Sequence, residues 1–384
     1  MSAAASTPNS ILITGAGAAG LSLAVGLAQC PALSQCRILL LDQERREAAN
    51  DRTWCFWEDR PGPFEAIVAH RWQQLWVHQG QFSRLMDIAP YTYKIIRSAQ
   101  FYRHANAILD AAPNVERRYG RVSAVGTAQG RAYAILEGRK WYADYGFNSI
   151  PFTPVDKSNC HYLDQHFRGW FIRTPHDAFQ PGEATLMDYR TPQQGETRFL
   201  YVLPVSAREA LVEVAIFSNN HLKPEAYDHI MRQYLLDHWP QAHPYEVVEV
   251  EQGNIPMTDF PFSRGQDRIV HLGMAGGDTR ASSGYTFWYI QQRVAAIVDA
   301  LQNGRHPLVP ETFIQRRHRS YDSLLLKVLQ RGYYPGDAFF GQLFAQNPPA
   351  RVLAFLNGQT TLWQEIQLMQ TAPIPQFLRA LLPG

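Results

Sequence analysis

The chain begins with apolar runs separated by glycines and a helix-forming stretch. Residues 8–44 contain an apolar run, a glycine-rich turn, a helix-forming segment and a second apolar run, which predicts strand, helix, strand. This order is the opening unit of a Rossmann-type sheet. Residues 97–112 have apolar positions at helical spacing and are predicted to pack on that sheet. Short apolar segments at 121–125, 132–136 and 142–149 are predicted as the strands that complete it.

The pattern changes after the first part of the chain. Residues 185–189, 199–204 and 210–217 are apolar runs with turn residues between them, which predicts a sheet inserted into the Rossmann-type domain. A helix is predicted at Pro224–His238, and mainly helices from about residue 311 onward.

Glycines at a fixed spacing separate the first strand from the first helix. Gly15, Gly17 and Gly20 form Gly-x-Gly-x-x-Gly. In a dinucleotide site the first glycine permits the tight turn, the second lets the backbone approach a pyrophosphate, and the third lets the helix pack closely. Asp42 ends the second strand, where its carboxylate would accept the ribose hydroxyls. Glycines alone are compatible with a plain tight turn, but the whole combination favours a nucleotide.

A second glycine element follows an apolar segment late in the chain. Residues 268–272 lead into Gly273, Gly276 and Gly277, and a helix is predicted at 289–301. Two glycine elements so far apart fit FAD lying across the domain better than NAD in a simple dehydrogenase. The nucleotide domain is therefore expected to be discontinuous.

The predicted fold class is α/β, with a Rossmann-type FAD-binding domain of the glutathione-reductase and hydroxylase kind. The FAD-binding domain is expected in three parts, at residues 1–84, 85–157 and 261–310. An inserted antiparallel β-sheet is expected to form the substrate domain mainly within 158–260, and helices to follow within 311–384.

Composition narrows the function classes. The 36 basic and 34 acidic residues give a net charge of +2, which argues against a general nucleic-acid binder. The four cysteines form no Cys-x-x-Cys pair, so no zinc site, other metal site or dithiol redox centre is expected. Residues 1–8 do not resemble a secretory signal, and no apolar run approaches the roughly 20 residues of a membrane span. The aromatic content of 12% suits a large apolar ligand or an aromatic-rich core equally well.

Several segments together resemble one enzyme family. They are Asn50-Asp-Arg-Thr-Trp-Cys-Phe-Trp-Glu58, Tyr93-Lys-Ile-Ile-Arg97, Tyr145-Gly-Phe-Asn-Ser-Ile150, Gln165-His-Phe-Arg-Gly-Trp170, Thr185-Leu-Met-Asp-Tyr-Arg190, Tyr201-Val-Leu-Pro204, Leu211-Val-Glu213, Gly253-Asn-Ile-Pro-Met257, Gly276-Gly277 and Ser283-Gly-Tyr-Thr-Phe287. The segments run in the same order as in the family and are spread over most of the chain. Through them the chain resembles the flavin-dependent lycopene cyclases of bacteria and plants, and most closely the bacterial β-cyclases.

The resemblance implies a reaction and its partners. Each linear end of lycopene, or of a related acyclic carotenoid, would be closed into a β-ionone ring, giving β-carotene by way of γ-carotene without loss of atoms or electrons. FAD would be needed in its reduced form beside a cationic transition state, with NAD(P)H as the reductant. Because lycopene is insoluble in water, the protein is expected to be cytoplasmic and peripheral on the cytoplasmic face of the membrane.

Glu213 is the candidate for acid and base catalysis. It matches the first acidic residue of the family's Phe-Leu-Glu-Glu-Thr motif, and in a strand it points to the same side as Leu211, Ala215 and Phe217. Such an apolar setting would raise its pKa and keep it protonated. A glutamate on a solvent-facing strand is the alternative. Val214 replaces the second acid, which excludes a mechanism using two adjacent carboxylates, and Asp188 or the reduced flavin is next in line.

Further residues are assigned by the resemblance and by chemistry. Arg97 would lie near the flavin ring or pyrophosphate, unless it is a surface arginine at a helix start. Aromatic side chains would face the cation or the polyene, or else fill a core. The substrate candidates are Trp54, Phe56, Trp57, Tyr285 and Phe287, and Gly284 is expected beside the flavin. Arg280-Ala-Ser-Ser283 stands where the family more usually has Lys-Pro-Ser-Thr, so the cavity shape is expected to differ.

Two other functions fit parts of the pattern. An FAD-dependent monooxygenase acting on an apolar polyene or aromatic substrate is the main alternative, and it would consume oxygen. Flavin hydroxylases usually carry Gly-Asp at the second element, whereas this chain has Gly273-Met274, and Asp278 is not an obvious replacement. A protein that only carries a carotenoid is the third reading, and it would not need Glu213.

Membrane contact is expected to come from the C-terminal helices. Near the basic residues at 316–319, two apolar groups could lie in a membrane interface or pack in a core. These groups are Phe339, Phe340, Leu343 and Phe344, and Leu353, Phe355 and Leu356.

Overall fold

The computed structural model describes residues 7–46 and 52–382. Within them the strands are β1 (Ser10–Thr14), β2 (Arg37–Asp42), β3 (Thr53–Glu58), β4 (His70–Trp72), β5 (Gln74–Gln79), β6 (Phe82–Asp87), β7 (Thr92–Arg97), β8 (Val115–Tyr119), β9 (Val122–Ala128), β10 (Arg131–Leu136), β11 (Arg139–Ala143), β12 (Tyr145–Asn148), β13 (Tyr162–Arg173), β14 (Glu183–Asp188), β15 (Thr197–Pro204), β16 (Glu209–Ser218), β17 (Glu246–Thr258), β18 (Gly265–Gln266) and β19 (Ile269–His271). The α-helices are α1 (Ala18–Ala28), α2 (Ser98–Ala111), α3 (Pro224–His238), α4 (Phe287–Gln302), α5 (Phe313–Gln330), α6 (Gly336–Gln346), α7 (Pro349–Leu356), α8 (Leu362–Met369) and α9 (Ile374–Leu381).

A six-stranded sheet in the order β18-β19-β12-β1-β2-β8 contains the predicted opening unit. β1 pairs in parallel with both β2 and β12, and α1 packs against α4. The sheet and the helices α1, α2 and α4 share a buried apolar cluster, here called the first core, which includes Ile13, Leu23, Phe101, Phe147 and Phe287. The strand, helix, strand pattern and the helices predicted at 97–112 and 289–301 are confirmed.

Two of the three strands expected to complete this sheet are elsewhere. β9, β10 and β11 form a separate antiparallel sheet, and from the predicted 142–149 segment only β12 joins the six-stranded sheet. The missed strand is β8, which pairs with β2 at the edge. Its sequence, Val-Glu-Arg-Arg-Tyr, lacks an apolar pattern because an edge strand exposes most of its side chains.

The inserted sheet has seven strands in the order β17-β13-β16-β15-β14-β5-β6. Its pairs are antiparallel except β14 with β5. One face joins the C-terminal helices in the second core, which includes Leu211, Phe217 and Phe344. The other face lies under α3 and includes Val212 and Val214. β5 and β6 pair within this sheet, so residue 84, the expected end of the first FAD-binding part, lies in the inserted sheet.

A small sheet in the order β3-β7-β4 lies between the two cores. Side chains of β3 belong to both: Phe56 packs in the first core and Trp57 in the second. This strand therefore forms a wall between the two halves of the molecule.

The C-terminal helices close the far side of the second core. Phe339, Phe340, Leu343 and Phe344 of α6 are at most 9% exposed, and Phe340 stacks on Tyr189 at 6.3 Å. Of the two alternatives left open for this cluster, the structure shows packing in the core, because α6 packs against β5 and β15. Of the second expected group, Leu353 and Leu356 of α7 are buried as well. Among the described residues, no helix is both long enough and apolar enough to cross a membrane.

Candidate functional site

The glycine loop between β1 and α1 has the geometry of a phosphate-binding turn. Gly15 has φ +88°, and a Cβ on Gly20 would lie 1.8 Å from the Gly15 carbonyl oxygen, so neither position accepts a side chain. A Cβ on Gly17 would meet nothing within 4 Å. Gly17 precedes the first turn of α1, and no side chain caps that helix. The open N-terminus of α1 is therefore available to an anionic ligand, as a dinucleotide requires.

Asp42 is bonded to the same loop. Its Oδ2 accepts a hydrogen bond from the Ala16 amide at 2.8 Å, and its Oδ1 accepts one from the Gln43 amide at 2.7 Å. The carboxylate thus fixes the turn between β1 and α1. Its contact with a ribose stays a prediction.

The second glycine element reaches the first. Residues Gly273–Gly276 form a 3₁₀ turn, and a Cβ on Gly273 would lie 3.0 Å from Cβ of Ala19 on α1. Asp278 is buried and its Oδ2 accepts a hydrogen bond from the Gly273 amide at 2.7 Å. This aspartate, which the sequence did not single out as a functional replacement, therefore holds the turn from within.

A cleft of about 840 Å³ runs beside this element. Its lining includes Gly276, Gly277, Arg280, Trp288 of α4 and His318 of α5. The volume lies in the range of small-molecule and cofactor sites. The first glycine loop and the open end of α1 have the features of a dinucleotide site, and the cleft extends from the second glycine element toward α4 and α5.

Arg97 and Gly284 lie at the boundary with the inserted sheet. Nη2 of Arg97 donates to Oε1 of Glu249 at 2.6 Å, and its guanidinium carbon lies 3.6 Å from the centre of the Phe171 ring. A Cβ on Gly284 would lie 2.2 Å from Oε1 of Gln165, a buried oxygen that has no hydrogen-bond partner. Both residues therefore contact the inserted sheet, and their roles toward a flavin stay predictions.

Glu213 lies on the face of β16 that was expected. Leu211, Ala215 and Phe217, on the same side of the strand, are all in the second core. Burial raises the pKa of Glu213 well above its usual value, and the neighbouring carboxyl group of Glu251 raises it further. Both effects favour the protonated form of the Glu213 side chain.

Glu251 on β17 is the residue that the sequence did not reveal. Gly169 on β13 pairs with Glu213 on one side and with Glu251 on the other, so the three positions form a row across the sheet. Glu251 is buried, and its Oε2 accepts a hydrogen bond from the Thr53 hydroxyl at 2.7 Å. Val214 does exclude two carboxylates adjacent in sequence. The conclusion that no carboxylate pair exists would be wrong, because two strands supply one.

Asp188 does not have the raised pKa of Glu213. It is fully buried, but hydrogen bonds from Arg190 and from the Tyr234 hydroxyl, the latter at 2.7 Å, outweigh the effect of burial and lower its pKa. The side chain is therefore an ionised, bound carboxylate. It is not poised to donate a proton.

The aromatic candidates divide between the two faces of β3. Trp57 and Tyr285 meet edge to face, with ring centres 4.5 Å apart, on the side of Glu213. Trp54 stacks on Phe287 at 5.4 Å, and Phe56 packs on Phe287 at 5.0 Å, in the first core. Core packing thus accounts for Trp54 and Phe56, which strand alternation turns away from Glu213, and for Phe287 of α4, on which they pack.

Unpartnered polar atoms lie on the Glu213 side. The buried hydroxyls of Tyr93 and Tyr285 lie near each other, but neither makes a hydrogen bond of good geometry. Tyr201 pairs directly with Glu213 across β15 and β16, and its ring is in the second core. Buried polar groups without partners are uncommon outside functional sites. Among the described residues, no group of three or more His, Cys, Asp or Glu side chains could hold a metal ion.

Comparison with known proteins decides the family. The model of the lycopene cyclase proteins matches residues 10–382. The chain belongs to the lycopene cyclase family. It is 25% identical over 365 residues to the lycopene beta-cyclase of Pseudescherichia vulneris, covering 87% of each chain. This agrees with the resemblance drawn from the motifs.

Solved structures confirm the fold class. The flavin-dependent brominase Bmp2 has a TM-score of 0.65 at 13% identity, covering 96% of this chain and 98% of that one. A geranylgeranyl bacteriochlorophyll reductase-like protein from Thermoplasma acidophilum has a TM-score of 0.62 at 9% identity, covering 97% and 98%. A flavoprotein/dehydrogenase from Cytophaga hutchinsonii has a TM-score of 0.63 at 14% identity, covering 94% and 98%. At these identities the likeness concerns the fold alone.

A few expectations concern residues outside those described. Residues 1–6, part of the segment examined for a secretory signal, and Asn50 and Asp51 of the motif before Thr53, are among them. The rest of that motif is β3 with Arg52 before it. A signal for Glu251 existed in the sequence, since it lies two residues before the resembling segment that begins at Gly253.

Proposed function

We propose that this protein closes the linear ends of lycopene into β-ionone rings without net oxidation or reduction. The supporting observation is a single one: Glu213, a half-buried carboxyl group with a raised pKa, lies beside the apolar residues Leu211, Ala215 and Phe217 on the inserted sheet of a flavin-enzyme fold. A protonated acid in such surroundings suits a substrate that consists only of carbon and hydrogen. Family membership supplies the class of substrate.

The proposed reaction begins with proton transfer from Glu213. Its carboxyl proton goes to the terminal double bond of the polyene, and the resulting cation is attacked by a second double bond, which forms the ring. A ring carbon then returns a proton to the Glu213 carboxylate, so that atoms and electrons balance. The faces of Trp57, Tyr201 and Tyr285 lie on the Glu213 side and would stabilise the cation while excluding water.

FAD is the proposed cofactor. Gly15, Gly17, Gly20 and the end of α1 would hold its pyrophosphate, and the second glycine element would close on it. When bound and reduced by NAD(P)H, the flavin supplies negative charge near the cation. The residues of the chain would bind FAD and keep water away from the two carboxyl groups of Glu213 and Glu251, here called the acid pair.

The protein is proposed to bind peripherally to the lipid surface on the cytoplasmic face of the membrane. α8 exposes Leu362, Ile366 and Met369, and α9 exposes Ile374, Leu378 and Leu381, each set at the spacing of one helix face. These stripes replace the buried α6 cluster as the surface for a membrane-dissolved substrate. Apolar stripes on surface helices of this kind insert shallowly into lipid.

The test is anaerobic incubation of the FAD-loaded protein with NADPH and lycopene in liposomes, followed by pigment separation. Wild-type protein is expected to form a β-ringed product. Glu213→Gln is expected to bind FAD equally but to lose activity by about 10²-fold or more, since the amide keeps the shape and removes the proton. Glu246→Gln, an exposed position on β17, is the matched control.

Other outcomes would assign another function. An oxygenated product that forms only in air would make the protein a monooxygenase. Binding of lycopene without conversion, unchanged in Glu213→Gln, would make it a carotenoid carrier. Full cyclisation by Glu213→Gln would move the acid elsewhere.

A further inference from the structure

The row formed by Glu213, Gly169 and Glu251 crosses three adjacent strands. In such a row, the side chain of the middle strand normally stands between those of the two outer strands and separates them. Here the middle residue has no side chain, and a Cβ on Gly169 would lie 3.0 Å from Oε2 of Glu213. The Glu213 side chain therefore leans over Gly169 toward β17. This lean brings its carboxyl group to that of Glu251.

The surroundings treat the two carboxyl groups differently. Burial raises the pKa of Glu251 too, but the hydrogen bond from the Thr53 hydroxyl and the nearby Arg97 guanidinium oppose that rise. Arg97 is itself bonded to Glu249, which limits the charge it offers. Glu213 faces apolar residues of the second core and has Glu251 as its charged neighbour. A proton shared by the pair is therefore held on Glu213.

Other ionisable groups face the pair from each neighbouring element. They are Cys55 on β3, Arg97 on β7, Tyr201 on β15, Glu249 on β17 and Tyr285 before α4, and Tyr93 of β7 lies next to Cys55. Burial raises the pKa of the Cys55 thiol, and it also raises the pKa of the three tyrosine hydroxyls. These groups stay neutral across the physiological range, so Glu213 and Glu251 are the groups that exchange a proton there.

We infer that Glu251 is a positioning residue that holds one proton on Glu213 and drives its return after each ring closure. The inference rests on the proposed function and adds a second carboxylate to it. Before reaction the pair carries one proton and one negative charge. When Glu213 gives its proton to the double bond, two facing carboxylates stand opposite one carbocation.

This charge arrangement has two consequences for the reaction. The two carboxylates together stabilise the cation more than one would, because each adds a negative charge close to it. Their mutual repulsion makes Glu213 a strong base, which removes the ring proton and restores the starting state. One proton enters the substrate, one leaves it, and the pair ends as it began.

The first experiment measures the proton itself. Infrared spectra of FAD-loaded protein are recorded across pH, and the band of a protonated carboxylic acid is followed as the difference between wild type and Glu213→Gln. The band is expected at neutral pH in wild type. In Glu251→Gln it is expected to disappear at a pH lower by about one unit or more, because the like charge is gone. Glu246→Gln should titrate as wild type.

A conservative variant guards against a purely structural effect. Glu251→Asp keeps the charge with a shorter reach, and its titration is expected to lie between those of wild type and Glu251→Gln. The inference is overturned if Glu251→Gln and wild type titrate alike, or if Glu213→Gln leaves the neutral-pH band in place.

The second experiment separates this inference from the proposed function. In Glu251→Gln, the alkaline limb of the pH profile of the cyclisation rate should move to lower pH. The shift should match that of the infrared titration of the same variant. An active enzyme whose limb does not move refutes the role of Glu251 and leaves the function standing. A protein with the expected spectra but no cyclisation refutes the function and leaves the shared proton standing.

Discussion

Gly169 lies between Glu213 and Glu251 in the inserted sheet, and because it has no side chain, the Glu213 carboxyl group can lean across it toward Glu251. Glu213 could be found because it matches the first acidic residue of a family motif, and its apolar setting follows from residues two positions away on the same strand face. Its partner Glu251 depends on which strands lie side by side, and that order is not written in local spacing. The same reason hid Gly169, whose missing side chain matters only once both neighbouring strands are in place.

Two glycines of the first loop give a test at this scale. Gly20→Ala is expected to lower the free energy of unfolding by about 1–3 kcal/mol, because its Cβ would overlap the Gly15 carbonyl oxygen. Gly17→Ala meets no atom of the chain and should leave the thermal midpoint nearly unchanged while reducing bound FAD. Thermal unfolding and the flavin absorbance per protein measure the two effects. Full FAD retention by Gly17→Ala would contradict the placement of the pyrophosphate.

Elements with a regular apolar pattern were predicted correctly, and those at edges or interfaces were not. α2 and α4 follow helical spacing and were found, whereas β8 is an exposed edge and was missed. The apolar face of α6 reads equally as lipid-facing or core-facing, and packing against the inserted sheet settles it as core. An apolar helix face alone does not predict whether the helix packs on lipid or on the protein core.

The stripe on α9 gives a test at the scale of the element. Leu378 and Leu381 are 57% and 64% exposed, so replacing both with serine should leave folding intact. Binding to liposomes is expected to weaken by about tenfold, from the lost apolar contact with lipid. Leu236→Ser, at an exposed leucine on α3, serves as control. Equal flotation of both variants with vesicles would remove α9 from the membrane surface.

The whole molecule is joined by a buried polar network between the second glycine element and the C-terminal helices. Arg280 pairs with Asp322 of α5 at 2.9 Å and donates to the Tyr289 hydroxyl at 3.2 Å. Further along, His318 lies 3.1 Å from Glu365 of α8, and Arg317 binds the same carboxylate. The helical part is therefore attached to the nucleotide side, although the sequence indicated only that it is helical.

Breaking this network should be felt by the entire fold. Asp322→Asn leaves the buried guanidinium of Arg280 without its anion and is expected to reduce the free energy of unfolding by about 3–5 kcal/mol. Asp299→Asn removes an exposed partner of Arg305 and should cost only about 0–1 kcal/mol. Denaturant titration compares the two variants. Similar midpoints would mean that the C-terminal helices stand independently of this contact.

The wall formed by β3 also constrains how such a protein can change over evolutionary time. Its alternate positions contact different partners. Trp54 and Phe56 pack on Phe287. On the other face, Thr53 donates a hydrogen bond to Glu251, and Trp57 packs against Tyr285. Neighbouring positions of this one strand should therefore tolerate substitution independently of each other. Each position should instead vary together with the residue that it contacts in its own half of the molecule. Lineages that alter the cofactor side could thus leave the acid pair untouched, and new ring chemistries could arise without rebuilding the nucleotide fold.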